Sequence, residues 1–310
     1  MKILCIHPPH FDHSFATLSE GLKELKKEQE IEIKWTAKSN YADEKHILSD
    51  GEAIEFGKEA NLILVTSNNG VKHHIHEAIG DYSKTIYIDG EDSYQYRENP
   101  SRFAVYFKRE MRLETDHHLS NVVPLPFAAE SRYFYWKEGT EKELDLSCTF
   151  GPSDDSKPWR PKIEDALKRA HFENSFIGQV SPSMWQQEGK TAGSDEYYWT
   201  IARSKVSVSA RGGQGANICG RQFEVLANFS CLVDQRIYVA FDYPLINGIH
   251  YVAYDNENDV VDAVKYALEE DRWAEIAKNS YEYTKKYHTS KARAIYFLLT
   301  CVKNLNLEVV

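Results

Sequence analysis

The sequence predicts an α/β protein of two similar halves, each built on a mostly parallel sheet. Three observations carry this. Short apolar runs alternate with amphipathic helical stretches along the whole chain. The alternation breaks once, over a proline-containing and then charged segment, and restarts. The 310 residues also exceed what one hydrophobic core usually serves.

The first run, "KILCI", is read as a buried strand. It is followed by "SFATLSEGLKELKKE", where Phe15, Leu18, Leu22 and Leu25 fall on one helical face and lysines and glutamates on the other. "IEIKWTA" alternates apolar and polar residues. "NLILVTS" and "KTIYIDG" are continuous apolar runs between turns, as expected of strands covered on both faces. "HHIHEAIGDY" lies between them as a helix, and "FAVYFKRE" closes the first half. Residues 1–125 are thus expected to form the first domain and 126–143, from the second of two prolines through an aromatic cluster to a charged stretch, the linker. In the second domain, 144–289, "DLSCTF", "NSFIGQV", "KVSVSA", "CLVDQ" and "HYVAYD" read as strands. "KPWRPKIEDALKRA" and "SDEYYWTIARS" read as helices, and "ENDVVDAVKYALEEDRWAEIAKNSYEYTKKY" together with "SKARAIYFLLTCVKNL" supplies the terminal helices. No short-period repeat or low-complexity segment interrupts the pattern.

A formal net charge of -10 argues against a general nucleic-acid binder and against strong attachment to anionic lipid. The five cysteines are odd in number, scattered and without a CxxC pair, so neither a disulfide framework nor a thiolate zinc site is expected, and a reducing cytoplasm fits best. "MKILCIHPPH" stops at two prolines, too early for a signal-peptide core. No apolar run approaches the roughly 20 residues of a membrane span, so contact with a membrane would be peripheral.

The chemistry concentrates in "SARGGQGANICGRQFEVLANFSCLVDQ", residues 209–235. A strand, a turn with Gly212, Gly213 and Gly215, and a helix carrying Arg221 and Glu224 follow one another. Glycines let a backbone approach a ligand without a Cβ in the way, and the free amides at such a turn suit phosphate or diphosphate. Arg221 and Arg211 add forked donors, and Glu224 suits the vicinal hydroxyls of a ribose. From the residues alone, a surface loop followed by an ordinary helix-surface Arg–Glu pair fits equally, because the glycines do not form GxGxxG.

The run "NICGRQFEVLANFSCLVD", with "YVAYDNENDVVDAVKYALEEDRWAEIAKNSYEYTKKYHTSKARA" after it, resembles the carboxyl-terminal half of the GT-B glycosyltransferases, nearest their CgeB-like, group 1-like branch. The likeness runs over roughly residues 144–300; in the first half only the strand order and "YIDGEDS" followed by "YFKRE" fit. It implies GT-B architecture, two Rossmann-like domains with parallel sheets facing a central cleft, and a final helix, about 290–310, that packs back on the first domain. It further implies Glu224 as the ribose-binding carboxylate and Arg221 as the basic residue beside it. Gly215, Ala216 and Asn217 fall in the turn facing diphosphate and sugar, and Arg160 in "KPWRPKIEDAL" at a phosphate-binding position. Retaining members of that family carry two glutamates eight positions apart, and here the earlier position is Ala216. Asn217 is a partial substitute, and the stereochemical outcome is not fixed by the likeness.

Glycosyl transfer needs positive charge against the leaving diphosphate, which amides and arginines supply without a metal, and a base for the acceptor hydroxyl. "HPPHFDHSF" offers His10 and His13, with Asp12 or His13 equally suited to cap the next helix; "YIDGEDSYQYR" offers Asp92, equally a turn residue. "HHIHE" places His73, His76 and Glu77 at helical spacing, and "DHH" at 116–118 could join them around a metal, but neither is HExxH and solvated faces explain both. Tyr197, Tyr198 and Trp199 read as packing residues, one of which could stack on a nucleobase. The expected activity is metal-independent transfer of a sugar from a nucleotide donor to a glycan, lipid-linked or protein acceptor, with neither cofactor nor nucleic-acid partner. Two alternatives share the fold: a catalytically inactive nucleotide-sugar-binding protein, made credible by Ala216, and a sugar-nucleotide epimerase.

Overall fold

The computed structural model of the chain describes residues 1–9, 12–38, 42, 44–67, 70–112, 116, 119–150, 157–178, 195–212 and 217–307; the side chains of His13 and Glu44 lie outside that set. The chain divides into two compact units: residues 1–127 with 240–242 and 290–310, and residues 128–239 with 243–289.

In the first unit β1 (Lys2–Ile6), β2 (Glu32–Trp35), β3 (Leu62–Thr66), β4 (Thr85–Asp89), β5 (Val105–Lys108) and β6 (Val122–Pro124) form one parallel sheet in the order β2-β1-β3-β4-β5-β6. Alternation in β1 assigns its faces. Ile3 and Cys5 join Phe15, Leu18 and Leu22 of α1 (His13–Lys26) and Phe297 and Cys301 of the C-terminal helix α9 (Ser290–Leu305). Leu4 and Ile6 join Ala53 of α2 (Asp50–Glu59) and Ile75 of α3 (His73–Ile79). Asp12 caps α1 by accepting from the Phe15 amide at 3.1 Å, so of the two residues offered as cap it is the one that serves. Gly21 lets α1 and α9 touch: a Cβ there would lie 2.0 Å from the Ser290 carbonyl oxygen. The short stretch Ala240–Asp242 belongs to this unit too, fixed by a buried Arg293–Asp242 ion pair at 2.6 Å and by the Ala240 amide donating to Met111 O.

In the second unit β7 (Leu144–Cys148), β8 (Ser175–Ile177), β9 (Ser204–Val208), β10 (Cys231–Gln235) and β11 (Val252–Tyr254) form a parallel sheet in the order β11-β10-β9-β7-β8. Its helices are α4 (Trp159–Ala170), α5 (Asp195–Ala202), α6 (Gly220–Leu226), α7 (Val260–Leu268) and α8 (Arg272–Tyr287). α7 and α8 part where Glu270 and Asp271 both take φ of 54°, a left-handed step that no α-helix carries.

Two elements were not expected from the sequence. α2 begins with a capping box, Ser49 and Glu52 bonding reciprocally, which is its sequence signature. β6 is a three-residue edge strand inside a proline-containing stretch. Of the segment expected as linker, residues from Ala128 onward cluster with the second unit. Asn228 holds it there: its amide donates to Tyr133 O at 2.7 Å and accepts from the amides of Tyr135 and Trp136 at 2.9 and 3.0 Å.

Candidate functional site

Strand order locates the site. In the second unit β7 lies between β8 and β9, so the connections from β7 and from β9 lead to opposite sides and leave a crevice at their carboxyl ends, where ligands of such sheets collect. The loop after β7 carries Thr149 and Phe150 and ends in Arg160 in the first turn of α4. The loop after β9 carries Arg211 and Asn217 and ends in Arg221 on α6.

These loops are bound to each other. The Arg211 carbonyl accepts from Trp159 Nε1 at 3.2 Å and from Arg160 Nη2 at 3.4 Å, while its amide donates to Gln235 Oε1 at 3.0 Å. Arg221 Nη1 donates to the Thr149 carbonyl. The guanidiniums of Arg160 and Arg221 lie 5.6 and 5.5 Å from the centre of the same Phe150 ring, and that of Arg221 also lies 5.6 Å from the Tyr197 ring. Two cations are thus gathered at one ring, and among the described residues no carboxylate forms an ion pair with Arg211 or Arg221.

Glu224 lies one helical turn beyond Arg221 and is 8% exposed. Its Oε2 accepts from the Tyr197 hydroxyl at 2.5 Å. Burial pushes its carboxyl above the usual range, and Arg221 and Tyr197 pull it back in part. Behind the turn, Gln222 accepts from the Cys219 amide at 2.8 Å and donates to Asn217 O at 3.1 Å and to Asp234 Oδ2 at 2.6 Å, so one buried amide fixes both ends of the helix start. Burial raises Asp234 to about 7 against the hydrogen bonds it accepts from Gln222 and the Gln235 amide.

Of the residues singled out from the sequence, Arg160, Arg211, Arg221, Glu224 and Asn217 are brought to these two loops. Asn217 points elsewhere than its sequence reading supposed: its amide donates to Arg236 O at 3.0 Å and accepts from the Tyr238 amide at 2.6 Å, so it braces the segment after β10. Gly213, Gly215 and Ala216 lie outside the described residues, as does His10. His13 opens α1. Asp92 is half-exposed and ion-paired to Arg109, whose guanidinium stacks 4.7 Å from the Phe127 ring. Its neighbour Asp89 is wholly buried and accepts from Lys108 Nζ at 2.9 Å and Tyr106 at 2.6 Å.

The histidine cluster separates. His76 is buried against Tyr82 with Nε2 3.1 Å from Thr85 Oγ1, while His73 is exposed. Of "DHH", Asp116 accepts from the Arg112 amide at 2.8 Å, and His117 and His118 lie outside the described residues. Among the described residues no three His, Cys, Asp or Glu side chains converge as a metal-binding set. Tyr197 and Tyr198 are buried, so neither offers a face for stacking, whereas Trp199 is 40% exposed. The partnership of Tyr197 with Glu224 had no sequence signal, because it joins two helices 27 residues apart. Among the described residues no helix is long and apolar enough to cross a membrane.

Residues 160–298 match the profile of the glycosyl transferase-like family. No curated protein matches the chain. Solved structures share its fold at low identity. HepE of Anabaena, in complex with UDP-glucose, is 9% identical with a TM-score of 0.65 over 98% of this chain and 100% of its own. A glycosyltransferase from Rickettsia africae is 12% identical with a TM-score of 0.61 over 99% of each chain. Sucrose-phosphate synthase from Thermosynechococcus elongatus is 11% identical with a TM-score of 0.61 over 96% of this chain and 98% of its own. Residues 160–298 thus carry a glycosyl transferase-like domain, and the chain as a whole shares the fold of these solved structures.

Proposed function

We propose that the second unit binds a nucleoside-diphosphate sugar at the β7–β9 crevice and that the protein transfers the sugar to a glycan, lipid-linked or protein acceptor without a metal ion. The carrying observation is the pair of guanidiniums, Arg160 and Arg221, gathered at Phe150 with the Glu224 carboxylate one turn away. Two cations held close repel each other, and a diphosphate between them turns that repulsion into attraction. The same charges stabilise the diphosphate as it leaves, which is the charge that develops in the transition state. Glu224 accepts from the ribose hydroxyls. The acceptor hydroxyl needs a base, and with Asp92 engaged by Arg109, His10 or His13 is the better candidate in the first unit.

The test is a thermal-shift screen against UDP-, GDP-, CMP- and dTDP-sugars, followed by calorimetry of the best ligand with Arg221→Ala and Glu224→Ala. Each change removes a hydrogen-bonded charged contact worth about 1.5–3 kcal/mol, so affinity falls about 10- to 150-fold while the melting temperature of the free protein changes little. Unchanged affinity in both variants overturns the assignment. Donor hydrolysis by the wild type separates a transferase from an inactive binder.

A further inference from the structure

The geometry points to Tyr197 as a positioning residue for nucleotide recognition: its hydroxyl holds Glu224 Oε2 so that Oε1 is the oxygen presented to the ribose 2′- and 3′-hydroxyls. This rests on the donor-binding reading above and adds to it the residue that orients the carboxylate.

The argument begins with what a buried carboxylate needs. A side chain with free rotamers would meet a diol in one geometry among several, and the ordering cost would be subtracted from affinity. Glu224 is 8% exposed, and Tyr197, 6% exposed, donates to its Oε2 at 2.5 Å. Among the described residues no hydrogen bond is directed at Oε1. Tyr197 is itself fixed. It sits on α5, packs edge-on against Tyr198 at 5.1 Å between ring centres and carries the Arg221 guanidinium on its ring at 5.6 Å. One side chain therefore touches both Arg221 and Glu224, and sets their spacing.

The arrangement also sets the protonation of the carboxylate. The groups facing Glu224 are Arg221 on its own helix, Tyr197 and Tyr198 on α5, and Glu130, Arg132 and Tyr133 from the segment that Asn228 ties down. Burial raises the Glu224 carboxyl, and the Tyr197 hydrogen bond counteracts that by favouring the ionised form. An ionised carboxylate accepts from two hydroxyls, whereas the acid form gives up one acceptor site. Losing the hydroxyl at 197 therefore moves the acidic limb of nucleotide binding to higher pH.

The experiment is calorimetry from pH 5 to 8 on wild type, Tyr197→Phe and Glu224→Ala, with UDP, GDP and CDP and their 2′-deoxy counterparts as probes. For the nucleotide that binds wild type best, Tyr197→Phe is expected to weaken binding about 5- to 20-fold at neutral pH. It should shrink the preference for the ribo over the 2′-deoxy form and move the acidic limb upward, with the far-ultraviolet spectrum and melting temperature near wild type. A purely structural role would lower affinity for both sugar forms alike and leave the limb in place. If Glu224→Ala abolishes the ribose preference but Tyr197→Phe changes neither preference nor limb, the positioning role is wrong and the site stands. If Glu224→Ala leaves the preference intact, or no probe binds, the donor-binding reading itself fails.

Discussion

At the scale of single residues, buried amide side chains hold the second unit's loops. Asn228 is the clearest. Its amide serves Tyr133 O, Glu224 O and the amides of Tyr135 and Trp136, all buried or half-buried. Asn228→Ala strands these groups and is expected to cost about 2–4 kcal/mol in urea unfolding, far more than a surface change. Nothing in "VLANFS" announces this role, because three of the four partners are nearly a hundred residues earlier; Glu224 and Arg221, by contrast, stand out through their neighbours in the chain. His76 gives a pH dependence with a definite sign. Burial, then the nearby His73 and Arg102, lowers it to about 4. The unfolded chain binds its proton near the ordinary value of about 6.5, so stability is full above that pH and is lost as pH falls toward the folded value. From pH 7 to 5 this one group accounts for a loss of about 2 kcal/mol, and His76→Gln, which keeps a partner for Thr85, should flatten the profile by that amount. A variant with an unchanged slope would show that folding does not lower the His76 pKa.

At the scale of elements, the strands were legible because they are buried on both faces and so are written as unbroken apolar runs: "KILCI" and "CLVDQ" form strands over their whole length. Helices were read less well where burial, not periodicity, ends them. α6 stops at Leu226 although apolar residues continue to Phe229, which takes a left-handed φ of 50°. α2 went unread although its capping box is explicit, because its apolar stripe is weak: Ala53 and Gly57 are its buried residues. Two glycines in helices test packing against propensity. Gly21→Ala gains about 1 kcal/mol of helix propensity yet drives a methyl into the Ser290 carbonyl, backbone that cannot swing aside, so the net effect on melting temperature should be a decrease. Gly51 in α2 has nothing within 4 Å of the added carbon, so Gly51→Ala should raise stability by about 0.5–1 kcal/mol. A rise in stability for Gly21→Ala would contradict the α1–α9 packing.

At the scale of the whole molecule, each unit is closed by chain that is distant in sequence. The first unit's sheet is covered on one face by α9, which contributes Ala294, Phe297, Leu298 and Cys301 to the core begun by Ile3 and Phe15. The resemblance implied that return; periodicity alone gave the helix and not its destination. A chain ending at residue 289 is expected to expose that face, bind a hydrophobic dye and lose resistance to protease within residues 1–127. The catalytic base and acceptor are not written in the apolar pattern, since they depend on loop residues whose roles come from neighbours brought in by folding. The proposed donor site stands out earlier because Arg211, Arg221 and Glu224 follow one another along strand, turn and helix. Its central claim is met most directly by a crystal structure with a bound nucleoside diphosphate. The account predicts the diphosphate against the guanidiniums of Arg160 and Arg221 and a ribose hydroxyl within about 3 Å of Glu224 Oε1. A nucleotide bound elsewhere, or one in this crevice whose ribose leaves Glu224 untouched, would contradict it.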